Sequence, residues 1–261
     1  MILTTTEGQS DLPRYFAQVF AMAQKLGRGR IDFVLDDGRR FRADGAAPGP
    51  VAELHIHNGD VFTRLIREGD LGFSDAYLEG WWSTPDLQAF MDLIHRGNDH
   101  VYDGFPGMGL IRAYEKLRFW LQRNHKAQAR KNIAHHYDLG NDFYKLWLDE
   151  SMTYSSALFE TGQESLERAQ EAKYAQLIDQ IGAQPGDHIL EISCGWGGFG
   201  ASYDLTLRRW HQTFNDRWDE VAALGFGERF RRMWNYYLTS CASAFEAENC
   251  DVTQITVSRP A

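Results

Sequence analysis

A carboxylate near the end of a predicted strand is followed closely by several glycines, and residues of these types at such a place could bind a ligand. Residues 188–192 read HILEI, which predicts a buried strand, and Glu191 lies within it. Gly195, Gly197 and Gly198 then form a turn. Glycines let a backbone approach a ligand closely, and the carboxylate can accept hydrogen bonds from it. The pattern predicts a cofactor site, although glycine turns also follow strands for structural reasons alone.

Most of the sheet that usually surrounds such a site is missing from the sequence. In a nucleotide-binding domain a second strand ends in an acidic residue about 20 residues later and holds the ribose. Here helix-like segments follow the turn, and the next plausible strand covers residues 252–258. We therefore expect a shortened version of a doubly wound α/β domain.

The composition is ordinary for a globular protein with one large domain or two small ones. Hydrophobic residues make up 43% of the 261 residues, and charged residues make up 24%. The formal net charge of −9 argues against nucleic acid as the main partner, because phosphate binding needs a basic field. Aromatic residues reach 13%, which suits a ring-rich pocket as well as an ordinary core.

The cysteines and the N-terminus favour a cytoplasmic protein. Cys194, Cys241 and Cys250 are few and lack metal-ligand spacing, which favours a reducing compartment. The N-terminus has no basic region followed by an apolar stretch, and no run of about 18 apolar residues occurs. We expect any contact with a membrane to be peripheral.

Histidine pairs do not predict a metal site. Neither His55 with His57 nor His135 with His136 has further residues nearby that complete a ligand set. We expect His55 and His57 to be exposed strand residues.

The first part of the chain, residues 10–96, is predicted to be a small α+β domain. Its first elements are a helix over residues 12–26, strands over residues 31–35 and 39–42, and a strand over residues 51–57. Asp37-Gly38 joins the first two strands and is a favoured hairpin turn. Three helices follow, over residues 61–68, 75–82 and 85–94. Thr84 is the expected N-cap of the last one.

Residues 97–109 are the predicted linker, because they contain four glycines and one proline. The second domain is then residues 110–261. Its predicted helices cover residues 110–131, 141–148, 164–181, 203–218 and 228–245. The helix over residues 164–181 has an apolar face that should be buried. This face consists of Leu166, Ala169, Tyr174, Leu177 and Ile178.

Five stretches of the chain are distinctive in order and composition. They are Leu71–Trp82, His136–Tyr144, Met152–Ala157, Glu191–Gly198 and Tyr203–Phe245. Together they resemble the cyclopropane-fatty-acyl-phospholipid synthases, a family of S-adenosylmethionine-dependent enzymes that act on membrane lipids. The resemblance covers nearly the whole chain. It implies an N-terminal lipid-associated α+β domain followed by a truncated Rossmann-like class I methyltransferase domain.

The resemblance is interrupted between Gly198 and Phe199, where the family has a long further segment. In the family, that segment holds the acid of the second strand, the central strands and most ligands of a catalytic bicarbonate. Ser193 also stands where the family motif has its first glycine. A serine is tolerated there if its φ is negative.

The resemblance assigns roles to residues by their position. Tyr154 and Ser155 match residues that contact the amino-acid end of S-adenosylmethionine. The strand and turn around this cofactor are matched by Glu191, Gly195, Trp196 and Gly197. Ser156 matches a catalytic position whose backbone faces the bicarbonate, and Tyr203 matches a catalytic tyrosine that contacts it. The implied cofactors are therefore S-adenosylmethionine and bicarbonate.

The implied reaction adds a methyl group to a cis double bond, after which a proton is lost and a three-membered ring closes. A carbocation must survive briefly, and aromatic faces stabilise cations by about 0.5–2 kcal/mol each. A dry pocket also prevents water from trapping the cation. Tyr137, Phe143, Tyr144 and Tyr154 either serve this purpose or simply pack.

Residues 112–131 combine several cations with Leu117, Trp120 and Leu121. This composition is typical of a helix that lies on an anionic bilayer, where apolar burial and charge attraction add. A helix that bridges two domains and has a solvated basic face fits the sequence equally well.

Taken together, these features predict a cyclopropane-fatty-acyl-phospholipid synthase that acts on unsaturated acyl chains of phospholipids. We expect peripheral association with the inner face of the membrane, with a homodimer as a candidate assembly. The alternative is a catalytically inactive lipid-binding or subunit protein derived from the family, and binding of S-adenosylmethionine separates the two. A small-molecule methyltransferase is disfavoured by the N-terminal domain.

Overall fold

A computed structural model describes residues 1–96, 139–184, 186 and 200–252. The chain divides into two compact units. The first unit comprises residues 1–138 and 228–236, and the second comprises residues 139–227 and 237–261. The predicted linker at residues 97–109, the basic segment at residues 112–131 and the strand at residues 188–192 lie outside the described residues. The domain boundary at the linker stays a prediction.

The first unit contains an open mixed sheet of five strands. They are β1 (Ile2–Leu3), β2 (Arg28–Val34), β3 (Arg40–Asp44), β4 (Ala47–Ile56) and β5 (Trp82–Ser83), in the spatial order β1-β3-β2-β4-β5. Strands β2 and β3 form the predicted antiparallel hairpin, and Gly38 in its turn has a φ of 84°. Strand β4 lies parallel to β2, and β1 lies parallel to β3. The chain is thus a mixed α/β protein, as the sequence indicates.

One face of this sheet and the helix α1 (Phe16–Ala23) enclose a core rich in phenylalanine. Phe16 is fully buried, and its ring centroid lies 4.9 Å from that of Phe41 and 5.1 Å from that of Phe62. Phe33 is 5.6 Å away and Phe20 is 5.8 Å away. Tilted and edge-to-face rings at these distances attract one another beyond the effect of area burial. The rings therefore fix the position of α1 on the sheet.

The other face of the sheet carries paired charges. Asp32 on β2 accepts hydrogen bonds of 2.8 and 2.9 Å from the guanidinium of Arg42, its cross-strand neighbour on β3. This hydrogen bond is the main reason why the pKa of Asp32 lies below its usual range. Arg40 pairs with Glu53 on β4. Alternation of apolar and charged residues along β2, β3 and the second half of β4 therefore separates a core face from a polar face.

The helix α2 (Asp60–Leu78) replaces two helices that the sequence predicts. It is interrupted at the predicted place, because Gly69 has a φ of 64° and a ψ of −147°. The second half ends earlier than expected, and Gly80 turns the chain with a φ of 77°. Trp82 is not helical but pairs with Ile56 as part of β5, which corrects the prediction. Its indole N–H donates to the carbonyl of Phe73 at 2.9 Å.

The helix α3 (Leu87–His95) lies within the predicted range but has a different N-cap. Asp86 caps it, since its carboxylate accepts from the amide of Ala89 at 2.9 Å. Thr84, the expected cap, instead donates its hydroxyl to the carbonyl of Asp86. Aspartate is at least as good an N-cap as threonine. The local backbone, rather than the residue type, therefore decides that Asp86 and not Thr84 caps the helix.

Residues 228–236 belong to the first unit, which the sequence pattern did not indicate. They are the first part of helix α8 (Glu228–Glu246). Arg232 donates to the carbonyl of Tyr77 at 3.1 Å and lies over its ring at 5.3 Å. Tyr236 packs against the same ring at 5.7 Å, and burial raises the pKa of Tyr236 to about 12.

The described residues of the second unit are helical or irregular. Its helices are α4 (Asn141–Tyr144), α5 (Leu166–Ile181), α6 (Gly200–Asp216), α7 (Trp218–Ala223) and the remainder of α8. Helix α5 is predicted well: Ser165 caps its start and Gly182 ends it with a φ of 63°. The break predicted at residues 225–227 separates α7 from α8. The Rossmann-like sheet of this unit stays a prediction.

The buried face of α5 differs from the predicted one. Its buried residues are Ala169, Gln170 and Lys173, whereas Ile178 is 48% exposed. The prediction was therefore correct for Ala169 and wrong for Ile178. The helix turns polar side chains inward because they hydrogen-bond an irregular segment next to it, as described below.

We predict that Phe16→Ala destabilises the first unit by about 3–5 kcal/mol, because it removes a buried ring and leaves a cavity among four others. Leu71→Ala is the control, since Leu71 is 55% exposed and its loss should change stability by no more than about 0.5 kcal/mol. Urea unfolding of both variants measures the difference. Equal stability of the two variants would contradict this description of the core.

Candidate active site

The candidate site is built on an irregular stretch, Thr153–Phe159, which we call the site segment. It contains Tyr154, Ser155 and Ser156, three residues that the sequence assigned to the site. The segment has no strand or helix ladder of its own. Its backbone groups therefore need partners from neighbouring elements.

Helix α5 supplies partners on one side of the site segment. The amide of Leu158 donates to the carbonyl of Ala169 at 2.9 Å. The side-chain amide of Gln170 donates to the carbonyl of Ser155, also at 2.9 Å. Gln170 is only 1% exposed, so this polar side chain is buried in order to bind the segment.

Lys173, one turn after Gln170 on α5, reaches the same part of the segment. Its ammonium group donates to the hydroxyl oxygen of Ser155 and to the side-chain oxygen of Gln170, each at 2.7 Å. Lys173 is 6% exposed, whereas Ser155 is exposed. A buried cation thus contacts the hydroxyl group of an exposed residue.

Helix α6 supplies partners on the other side. The amide of Ala157 donates to the hydroxyl of Thr206 at 3.0 Å, and the amide of Phe159 donates to the hydroxyl of Ser202 at 3.1 Å. Thr206 in turn donates to the carbonyl of Ser202 at 2.8 Å. All of these groups are buried, so the bonds are shielded from water.

Aromatic rings from α4, the turn that follows it, the site segment and α6 form a continuous cluster, which we call the aromatic cluster. The Tyr154 ring lies 5.3 Å from Trp210, 5.5 Å from Trp147 and 5.5 Å from Tyr144. Trp147 and Trp210 are 5.5 Å apart and nearly perpendicular. The cluster consists of Phe143, Tyr144, Trp147, Tyr154, Tyr203, Trp210 and Phe214.

Tyr154 is the central ring of this cluster, and its hydroxyl is held neutral. The hydroxyl donates to that of Tyr237 at 3.3 Å. Burial raises the pKa of Tyr154 well above its usual range, and the Tyr237 hydroxyl adds to the rise. The phenol therefore keeps its proton across the physiological pH range, and it cannot act as a phenolate base.

Tyr203 and Ser156, the two predicted catalytic residues, are linked through α6. Tyr203 stands three residues before Thr206, so the two share one side of the helix. Thr206 binds the amide next to Ser156. The Tyr203 ring lies 4.7 Å from Phe245 and 6.2 Å from Trp210. Ser156 is 4% exposed, and its hydroxyl donates to the carbonyl of Ala157.

Four of the predicted site residues are thus brought to one region of the second unit, namely Tyr154, Ser155, Ser156 and Tyr203. The other four, Glu191, Gly195, Trp196 and Gly197, lie outside the described residues, as does Tyr137. Their assignments stay predictions.

Sequence reasoning missed three members of this region. Trp147 lies four residues after Phe143. In the helix predicted over residues 141–148 this spacing places both on one face, which could have indicated its role. Trp210 gave no such signal, and neither did the contact of Lys173 with Ser155, because these partners are distant in the chain. The indole N–H of Trp210 is fully buried and has no hydrogen-bond acceptor among the residues that the structure describes.

A family model described as mycolic acid cyclopropane synthetase matches the chain over residues 124–202 and 198–255. The matches include the site segment, α5 and α6. The chain belongs to this family. Members of the family are S-adenosylmethionine-dependent methyltransferases, which confirms the class of enzyme that the sequence motifs indicate.

Curated relatives have consistent names. A cyclopropane-fatty-acyl-phospholipid synthase of Escherichia coli K12 is 23% identical over 356 aligned positions, which cover 83% of this chain and 89% of the relative. A tuberculostearic acid methyltransferase of Mycobacterium tuberculosis is 35% identical over 76% of this chain and 49% of its own length. A probable fatty acid methyltransferase of the same organism is 45% identical over 70% of this chain and 48% of its own length. This chain spans about half the length of the two mycobacterial relatives.

The comparisons also bear on the interruption after Gly198. The alignment with the Escherichia coli enzyme is 356 positions long, more than the 261 residues of this chain. That relative therefore has residues without a counterpart here. The two matches to the family model meet at residues 198–202, where the sequence places the missing segment. The shortened chain thus agrees with the predicted internal deletion.

The described helices do not include one that is long and apolar enough to cross a lipid bilayer.

We predict that Thr206→Val destabilises the protein by about 1–3 kcal/mol, because the buried amide of Ala157 loses its acceptor. Thr206→Ser keeps the hydroxyl group and should retain most of the stability. Hydrogen exchange at the Ala157 amide gives a local measure, since protection should fall in the valine variant only. Unchanged protection in that variant would show that Thr206 does not hold the segment.

Proposed function

We propose that this chain is a cyclopropane-fatty-acyl-phospholipid synthase whose internal deletion lowers its activity to near background. The reaction of the complete enzyme transfers a methylene unit from S-adenosylmethionine to the cis double bond of a phospholipid acyl chain. The aromatic cluster around Tyr154, in a chain of this family, is the observation that carries the proposal. The names of the relatives support the substrate class, since they include a phospholipid synthase and fatty acid methyltransferases.

The described residues fit S-adenosylmethionine. When bound, this cofactor supplies a methyl group on a cationic sulfonium. Aromatic faces such as that of the partly exposed Tyr154 attract cations, and the hydroxyl of Ser155, an exposed residue, can hydrogen-bond the amino-acid end. We assign the remaining cofactor contacts to Glu191, Gly195, Trp196 and Gly197, on the basis of the family motif.

The aromatic cluster suits the cation that forms on the acyl chain. The partly exposed ring of Tyr154 could stabilise it by the value of about 0.5–2 kcal/mol that one ring contributes. Tyr154 remains a neutral phenol because burial raises its pKa, so it is a poor nucleophile towards the cation. Trp147 and Trp210 are almost completely buried, and they exclude water from their side of the site.

We assign the catalytic base to a bicarbonate held near Ser156 and Tyr203. When bound, the bicarbonate would supply a group that accepts a proton. Tyr203 is partly exposed and could donate its hydroxyl to such an anion. Ser156 uses its hydroxyl to bind the Ala157 carbonyl. On the basis of the family motif, we assign its backbone to the anion.

The fold and the location complete the proposal. Residues 110–261 are assigned to a truncated Rossmann-like class I methyltransferase domain, and residues 10–96 to a lipid-associated domain. The chain would act on the inner face of the membrane from the cytoplasm, with a homodimer as its assembly. The match of the family model from residue 124 onward supports the assignment of the second domain.

A prediction about the cofactor follows from the missing segment. We expect this chain to bind S-adenosylmethionine weakly, because the acid that holds the ribose belongs to the missing segment. Insertion of an intact family segment between Gly198 and Phe199 should strengthen binding by at least about tenfold, the contribution of one or two hydrogen bonds to a charged group. Titration calorimetry measures the affinity, and lipid analysis of cells expressing each protein measures cyclopropane formation.

Ring formation should be near background with the chain as it stands and should rise after insertion. In the restored protein, Tyr203→Phe should lower turnover while leaving the affinity for S-adenosylmethionine nearly unchanged, since it removes only the hydroxyl. Tight cofactor binding without any ring formation after insertion would contradict the proposed reaction.

A further prediction concerns binding to the membrane surface. Three cations of the basic segment, Arg118, Arg123 and Lys126, are replaced by glutamate. This change should weaken co-sedimentation with vesicles that contain anionic lipid, because it removes an attraction of about 1 kcal/mol per cation. Added salt should weaken the binding of the unchanged protein in the same way. Neutral vesicles should bind less of the protein than anionic ones.

The control reverses three exposed cations elsewhere, Lys145, Arg168 and Arg229, and therefore changes the net charge equally. If both triple variants lose binding to the same extent, net charge and not the basic segment determines it. If neither variant loses binding, the interfacial role of residues 112–131 is wrong.

A further inference from the structure

The contact between Lys173 and Ser155 fixes the direction of a hydrogen bond. An ammonium group has three donors and no acceptor. The 2.7 Å contact between its nitrogen and the Ser155 oxygen therefore has the lysine as donor. The hydroxyl oxygen of Ser155 is the acceptor, and its own hydrogen must point elsewhere. Ser155 is an exposed residue, so a ligand can approach its side chain.

The same contact raises the strength of Ser155 as a donor. A hydrogen bond from a charged group is shorter and stronger than one between neutral groups, and chains of hydrogen bonds polarise one another. Lys173 is 6% exposed, so water screens its charge only weakly at this position. A ligand that meets Ser155 therefore encounters a polarised donor with a positive charge behind it.

Gln170 fixes both residues in this arrangement. Its side-chain oxygen accepts from Lys173 at 2.7 Å, and its side-chain nitrogen donates to the Ser155 carbonyl at 2.9 Å. The lysine ammonium also lies 4.6 Å from the ring centroid of Tyr174. Gln170, Tyr174 and the site segment thus all contact Lys173, and they hold the cation at a defined place.

We propose that Lys173 is a positioning residue that makes Ser155 a hydrogen-bond donor for the carboxylate at the amino-acid end of S-adenosylmethionine. The inference rests on the proposed function, since it concerns the same cofactor site. The amino-acid end carries both a carboxylate and an ammonium group. The geometry favours the carboxylate, because a donor backed by a cation attracts an anion and repels a second ammonium.

Two ligands that differ only in this group test the proposal. Ligand-observed NMR titrations, which measure weak affinities, compare S-adenosylmethionine with decarboxylated S-adenosylmethionine. Lys173→Met keeps the buried stem but removes the charge. It should weaken binding of S-adenosylmethionine by about tenfold or more, as expected for loss of a charge-assisted hydrogen bond. Binding of the decarboxylated compound should stay nearly unchanged.

Variants of Ser155 separate the two residues. Ser155→Ala should act like Lys173→Met: it should weaken binding of S-adenosylmethionine and leave binding of the decarboxylated compound nearly unchanged. Ser155→Thr should bind S-adenosylmethionine about as well as the unchanged protein, because it keeps the hydroxyl. The double variant should be little worse than either single one, since both remove the same interaction. Lys145→Met is the matched control, because Lys145 is exposed and lies outside the site segment.

The outcomes distinguish this inference from the proposed function. An equal loss of affinity for both ligands would mean that Lys173 acts only on structure, and unchanged affinity for both would also overturn the inference. Either result leaves the proposed function standing. Failure of the unchanged protein to bind S-adenosylmethionine at any concentration would overturn both. If Lys173→Met does not fold, the exposed Ser155 variants give the same test.

Discussion

The site depends on hydrogen bonds that hold an irregular backbone segment between two helices. Thr153–Phe159 has no ladder of its own, and buried amides and carbonyls are costly when they lack partners. Side chains of Gln170 on one helix, and of Ser202 and Thr206 on the other, supply those partners. This constraint explains why a helix in a globular protein turns glutamine and lysine inward. It also fixes three consecutive site residues without giving them regular secondary structure.

The aromatic cluster is the second consequence of this arrangement. Once the segment is held, Tyr154 meets rings from α4 and α6 at about 5.3–5.5 Å. Their packing removes water, and it keeps the phenol of Tyr154 neutral. The same region thus offers neutral aromatic faces on one residue and a polarised hydroxyl on the next. A cofactor that is cationic at sulfur and anionic at its carboxylate needs both kinds of surface.

Local signals in the sequence predicted much of the fold. The Asp-Gly turn between β2 and β3, the break at Gly69 and the end of α5 at Gly182 were predicted correctly, because each depends on the backbone freedom of one glycine. The short strands β1 and β5 were not predicted, since two-residue strands exist only through their partners. Asp86 rather than Thr84 caps α3 for a similar reason, because the backbone around the proline selects between two suitable residues. The proximity of Tyr154, Ser155 and Ser156 followed from their adjacency, and Tyr203 was assigned through the family motif.

By itself, the sequence determined the family, the order of the motifs and the point at which the chain is shortened, because these depend on residue identity along the chain. It also determined the alternation that separates a charged face from a core face in the first unit. Only the tertiary structure decided that Lys173 lies behind Ser155, that Trp210 packs on Tyr154 and that Ile178 is exposed. Each of these depends on contacts between residues that are remote in sequence. The helical pattern of α5 predicts which side chains are buried from their hydrophobicity alone. In the structure, the buried backbone groups of the site segment need hydrogen-bond partners, and this need placed Gln170 and Lys173 inside instead of Ile178.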